Sequence, residues 1–157
     1  AFDYEAVLFV LLHNHPSGNP APSEDDIQIT RRIQKGAHIL ELKEKGCEII
    51  ITTGGMSVDP DDKTPGAIKQ TGANVVSYGA PVLPGAMFCL AYFEDGTPVL
   101  GLPGCVMYAK STIFDLMLPR VAAKVPVTKK DITVLGHGGL CLGCAQCHYP
   151  ACSFGKA

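Results

Sequence analysis

Residues 48–65 read EIIITTGGMSVDPDDKTP, and the pattern in them sets the expected architecture. The run EIIITT, residues 48–53, is apolar and β-branched, which is how a buried strand reads. The loop GGMSVDPDDK follows. Thr64-Pro65 then opens a short helix, with proline at its first position. Upstream, Ser23 marks a helix start, with Asp26 three positions on and Glu24 and Asp25 placed to suit the helix dipole. Ile29, Ile33, Ala37 and Leu40 give that helix an apolar face. Gly36 weakens its middle and is a place for it to split, and Gly46 is a natural C-terminal cap. Downstream, residues 74–78 (NVVSY) form a strand, and residues 86–93 and 97–102 form a strand pair turning at Asp95-Gly96. A helix over residues 108–123 has Ala109, Ile113, Leu116 and Met117 on its apolar face and a kink at Pro119. The apolar run 6–12 (AVLFVLL) reads as one more buried strand. Strands alternating with helices predict an α/β fold with a mostly parallel sheet and flanking helices.

Two glycine loops fall where such a sheet binds ligands. Gly54-Gly55 ends one strand, and Gly101-Leu102-Pro103-Gly104 lies between a strand and a helix. Glycines at a strand end let backbone N–H groups approach an anion, and a helix N-terminus adds positive potential. Thr53 and Ser57 offer hydroxyls, and Asp59, Asp61 and Asp62 offer carboxylates suited to hydrated magnesium. The same residues also read as ordinary turns with solvated aspartates.

The segments ITTGGMSVDPDDKTPGAI, VVSYGAPVLPGAMF and VLGLPGCVMYAKSTIFDLMLPR resemble the molybdopterin-binding domain of the molybdenum-cofactor biosynthesis family. That resemblance implies a molybdopterin-binding-like fold, incomplete at its N-terminus. It also implies a pterin site made of Thr53, Gly54, Gly55, Ser57 and Asp59, with Gly101, Pro103 and Gly104 opposite. Asp62 would be the functional acid. The implied function is binding of molybdopterin or its adenylylated form, with magnesium-dependent molybdate insertion or adenylylation as the implied enzyme activities. The chain departs from the family at Cys105-Val106, where Asn-Pro is usual.

Net charge is −2 over 157 residues, with no basic stripe for nucleic acid and no polybasic anchor. Hydrophobic residues make up 46% and charged residues 18%, the balance of a globular chain. No apolar run reaches the roughly 18 residues of a membrane span. With no basic leader visible, the expectation is a cytoplasmic protein binding a small pterin ligand, without nucleic acid or membrane partners. A homo-oligomer stays open as a further partner, since the sequence does not fix the oligomeric state.

Of the seven cysteines, Cys141, Cys144, Cys147 and Cys152 crowd into the tail, spaced Cys-x2-Cys-x2-Cys-x4-Cys. In a reducing compartment such a cluster favours metal over disulfides. Four thiolates suit tetrahedral zinc or an iron–sulfur cluster; the alternative is four free thiols. The run resembles a ferredoxin cluster motif with its last gap longer by one. The tail GHGGLCLGCAQCHYPACSFGK is similar to one that ends some anaerobe molybdopterin-binding proteins. Cys47, Cys89 and Cys105 read as small buried hydrophobes.

Residues 11–33, LLHNHPSGNPAPSEDDIQITRRI, carry a second pattern. His13-x-His15, then Ser23 and Asp26, resembles the JAMM metalloprotease motif, most nearly its RadC-like branch. The resemblance implies zinc held by His13, His15 and Asp26, with Ser23 stabilising an oxyanion. That family takes its general-base glutamate from far upstream, whereas Glu5 stands only eight positions before His13. The expected organisation is therefore a JAMM-like segment over residues 1–36, a molybdopterin-binding-like domain over 37–134 and a metal-binding tail over 135–157. The rival functions are a JAMM-type zinc hydrolase and a chimeric fold keeping the motifs without native activity.

Overall fold

The computed structural model describes residues 23–56 and 62–156. Its elements run α1 (Glu24–Glu44), β1 (Ile50–Thr53), α2 (Thr64–Gln70), β2 (Asn74–Tyr78), β3 (Cys89–Tyr92), β4 (Pro98–Leu102), α3 (Ile113–Ala122) and α4 (Lys129–Thr133). Single 3-10 turns at Gly104–Met107 and Val134–Gly138 flank α3 and α4. The expected strand 6–12 lies outside the described residues.

The four strands form one sheet in the order β1-β4-β3-β2. Only β1 and β4 are parallel; β4, β3 and β2 run antiparallel in sequence. The expectation of a mostly parallel sheet is therefore corrected to a mixed α/β sheet. The reason is connection length. Successive parallel strands need a crossover of a dozen or more residues, and β3 turns into β4 within a tight loop. That turn closes as read from the sequence: Gly96 takes φ +85°, and Phe93 N–H donates to Thr97 O at 2.9 Å.

Central strands β3 and β4 are buried on both faces, so they carry two cores. Leu90, Leu100 and Leu102 join Phe88, Ile113, Met117, Ile132 and Phe154 on one face. Cys89, Ala91 and Val99 join Ile39, Ile50, Met56 and Ile68 on the other. Alternation along each strand sends neighbouring side chains to opposite layers. The helices α1 and α2 thus cover one face, and α3, α4 and the tail cover the other.

Helix α1 is unbroken from Glu24 to Glu44. Gly36 does not split it. Instead Gly36 is buried against α2, where a Cβ would sit 3.7 Å from Ala67 O. The buried face is Gly36 and Ile39, with Arg32 and Lys43 half-buried, while Ile29, Ala37 and Leu40 are exposed. The expected apolar face is therefore turned partly outward, because α2 packs against α1 over Gly36 and the stem of Arg32. The C-terminus closes as a Schellman motif: Cys47 N–H donates to Leu42 O and Gly46 N–H to Lys43 O, with Gly46 at φ +75°.

Helix α3 begins five residues later than the sequence suggests. Thr112 caps it: Phe114 N–H donates to Thr112 Oγ1 at 3.1 Å, and Thr112 N–H to Asp115 Oδ2 at 2.7 Å. Pro119 sits inside α3 and leaves Asp115 O without an intrahelical donor; Tyr149 Oη donates to that oxygen at 3.2 Å. No helix among the described residues is long and apolar enough to cross a membrane.

Candidate functional site

The glycine loops come first. Thr53 pairs in register with Leu102 on parallel neighbours, so both loops leave the same edge of the sheet. Gly55 and Gly101 are packed against side chains, whereas Gly54 and Gly104 face open space. Gly54 and Gly55 take φ +76° and +63°. A Cβ on Gly55 would meet Lys35 Nζ at 2.6 Å and Thr64 Oγ1 at 2.8 Å. Lys35 Nζ donates to Thr64 Oγ1 at 3.0 Å, and Thr64 Oγ1 donates to Gly54 O at 2.7 Å. Thr64 N–H is spent on Gly55 O at 3.1 Å. The loop therefore turns carbonyls, not amides, toward the start of α2, and α2 is only seven residues long. Gly101 is a core glycine, its missing side chain replaced by Met56, whose Sδ and Cε would lie 2.7 Å from a Cβ. Pro103 is buried, and Gly104 opens the 3-10 turn with space around it. Asp62 is half-buried near Tyr78, whose phenol is pushed up by partial burial and then by that carboxylate. Ser57, Asp59 and Asp61 lie outside the described residues.

The histidine segment is described only in part. His13 and His15 lie outside the described residues; Ser23 immediately precedes α1, and Asp26 falls in its first turn. Ile27 N–H donates to Ser23 O at 3.1 Å, so the helix starts at the serine as the sequence indicates.

The tail cysteines are brought together. Cys141, Cys144, Cys147 and Cys152 all line one cavity of about 320 Å³, walled by Tyr108 and Phe154 among others. Cys141 and Cys152 are half-buried against the core, and Cys144 and Cys147 are exposed. Ser111 Oγ lies 3.6 Å from Cys147 Sγ. The Cys147 thiol is pulled below the ordinary range by the backbone N–H of Tyr149, then by Ser111, with Lys110 assisting. Lys110 Nζ donates to Ala145 O at 2.8 Å and to Cys144 O at 3.4 Å. Sequence reading missed Lys110, Ser111 and Tyr108, because they reach the cysteines from more than thirty residues away in the chain. Among the described residues no three His, Cys, Asp or Glu side chains already share a centre that could hold a metal. Of the other cysteines, Cys89 is fully buried and pushed up to about 11, while Cys47 and Cys105 are only half-buried.

Comparison with known proteins bears on the N-terminal part. Residues 1–62 match the family described as RadC-like JAB domain. A UPF0758 protein of Moorella thermoacetica is 50% identical over 38 residues, 24% of this chain and 17% of the relative. One of Desulfitobacterium hafniense is 56% identical over 34 residues, 22% of this chain and 15% of the relative. One of Caldanaerobacter subterraneus is 38% identical over 58 residues, 37% of this chain and 25% of the relative. The chain thus spans a quarter or less of the length of these curated relatives.

These matches overturn the molybdopterin reading. The Thr-Thr-Gly-Gly loop, Asp59 and Asp62 all fall inside the RadC-like match, and the space over Gly55 and Gly101 is taken by the protein's own side chains. Molybdopterin, magnesium and molybdenum-cofactor assembly are accordingly withdrawn, with Asp62 as their acid. Over residues 1–62 the chain is similar to the RadC-like JAB domain, and it is that segment which carries His13, His15 and Asp26.

Proposed function

We propose that the N-terminal segment supplies the zinc-ligand part of a JAMM-type metallohydrolase. The observation that carries this reading is the match over residues 1–62, which contains His13-x-His15, Ser23 and Asp26 at the motif's spacing. The donor chemistry fits: two imidazoles and one carboxylate leave a fourth position, the pattern of catalytic zinc. The start of α1 also fits. Ser23 and Asp26 are three apart at a helix start, a spacing that puts two residues on one face. Zinc, when bound, supplies a water of lowered pKa as nucleophile. His13, His15 and Asp26 would hold the metal, Asp26 from the first turn of α1. The Ser23 hydroxyl donates to the oxyanion that develops when a carbonyl is attacked. The reaction class is hydrolysis of an amide-type bond.

The test is zinc content in the full chain carrying Cys144→Ser and Cys147→Ser, so that the tail contributes nothing. About one equivalent of zinc is expected, lost on His15→Ala and on Asp26→Ala. Zinc bound equally well by the His15→Ala protein, or not bound at all, would refute the ligand set. Peptide hydrolysis that disappears with His13→Ala would extend the reading from binding to turnover.

A further inference from the structure

The tail is a loop closed at its neck and without regular structure inside. Gly155 N–H donates to Gly138 O at 2.8 Å, joining the two ends of residues 138–155. A second tether holds the entrance: Leu83 N–H donates to Gly139 O at 2.7 Å, and Cys141 N–H to Leu83 O at 2.8 Å. Glycine is required at this neck. A Cβ on Gly138 would lie 2.4 Å from Ser153 O, and one on Gly139 2.1 Å from Pro81 O. Between residues 141 and 156 there is no helix and no strand. Phe154 is the one fully buried side chain of that stretch. A structureless loop of this length inside a compact domain is uncommon unless it serves a function. Ordering it costs backbone entropy, offset only in part by buried Phe154, the half-buried Cys141, Tyr149 and Cys152, and the bonds from Tyr149 and Lys110.

The contents of the loop point to what offsets the rest. Four free thiols, Cys141, Cys144, Cys147 and Cys152, line one cavity between the loop and the segment 108–111. The chain brings a positive charge to the same place, with Lys110 Nζ bonded to the carbonyls of Cys144 and Ala145. Four thiolates around a divalent centre leave net negative charge, which a nearby ammonium offsets.

We propose that these four cysteines bind one thiophilic metal centre, and that binding draws the loop from the described conformation into a closed one. No three of these thiols share a centre in the described conformation, so ligation and loop closure are one event. Such coupling is the rule for small metal modules. This site is independent of the histidine segment: it stands on other residues and on the opposite face of the sheet from α1.

The experiment uses the full chain with His13→Ala and His15→Ala, purified without oxygen, and measures zinc, iron and sulfide. Bound zinc, or iron with sulfide and visible absorption, is expected, and Cys144→Ser with Cys147→Ser abolishes it. Zinc and iron–sulfur are the two forms the same thiolates take, and the metal analysis separates them. The proposal is overturned if the histidine variant takes up neither zinc nor iron and sulfide. It is equally overturned if the metal persists in the serine variant. Should the serine variant fail to fold, alkylation of the unmutated cysteines decides. Cys144 and Cys147 are exposed in the described conformation, so they react freely unless ligated. Expected is reaction roughly tenfold or more slower before chelation than after; equal rates overturn the proposal.

Discussion

Replacing Tyr149 with phenylalanine tests how the tail is fastened to the body. Pro119 has no N–H, so Asp115 O, four residues earlier in α3, has no donor within the helix. Tyr149 Oη fills that vacancy from the tail at 3.2 Å. Phenylalanine keeps the ring and its edge-on contact with Phe154, at 6.1 Å between centroids and 69° between planes. It removes only the hydroxyl. The expected cost is about 1 kcal/mol, the usual net worth of one hydrogen bond. For a chain of this size that lowers Tm by about 2–4 °C. The sharper test is the second background. In Pro119→Ala the helix recovers its own amide for Asp115 O, so losing the tyrosine hydroxyl no longer leaves the carbonyl bare. Tyr149→Phe should then cost less than about 0.5 kcal/mol, giving a coupling of about that size or more. Urea unfolding of the four metal-free proteins measures it. An equal cost of Tyr149→Phe in both backgrounds would refute the idea that this bond compensates the proline.

Two further outcomes follow from the same structure. Asp95 is held down to about 2, first by its hydrogen bond from Lys43 and then by Thr97. Its folded pKa lies below the unfolded value of about 4, so the unfolded chain takes up the proton first as pH falls. The stabilisation is complete above that value and is lost as pH drops toward 2. Asp95→Asn should therefore flatten the acid limb of stability against pH between about 4 and 2, and superimposable limbs would remove Asp95 from the account. Gly54→Ala and Gly55→Ala both place a side chain at positive φ, but only Gly55 meets buried Thr64, with Lys35 beside it. Each should lose about 1 kcal/mol to backbone strain, with Gly55→Ala the worse of the two. Equal losses in urea unfolding would argue that the space over Gly55 is open after all.

Much of the fold is legible wherever a local rule decides it. The strand Asn74–Tyr78 falls where its β-branched pattern puts it. Gly46 and the Asp95-Gly96 turn carry positive φ where glycine alone adopts it cheaply. The start of α3 was legible too but went unread: Thr112 and Asp115 form a Thr-x-x-Asp capping pair, repeated by Thr128 and Asp131 at α4. The tight turn between β3 and β4 was legible in Asp95-Gly96 and already implies an antiparallel pair. The strand–helix alternation alone does not give sheet direction, and reading it as a mostly parallel sheet overrode that local signal. The buried face of α1 escaped for another reason. Periodicity follows Ile29, Ile33, Ala37 and Leu40, but close packing of two helices is set by the smallest residue, and that is Gly36.

The candidate sites divide along the same line. A histidine-x-histidine followed by serine and aspartate is informative because side chains do the ligating, and their identity is written in the sequence. A glycine pair after a strand is informative only if the space above it stays empty, and occupancy of that space depends on residues far away. Here Lys35 reaches in from α1 over Gly55, and Met56 folds back over Gly101, so those two glycines serve packing, while the space over Gly54 stays open. The cysteine tail lies between these cases. Its ligands are visible in the spacing, but their enclosure depends on a neck made by Gly138, Gly139 and Leu83, and on Lys110 from the segment ahead of α3. A bond from Tyr149 across to the carbonyl that Pro119 leaves bare ties this loop to the core. The same residue gives its backbone N–H to the Cys147 thiol, so Tyr149 alone joins the cysteines to α3, and Tyr149→Phe removes the hydroxyl while leaving that backbone contact in place.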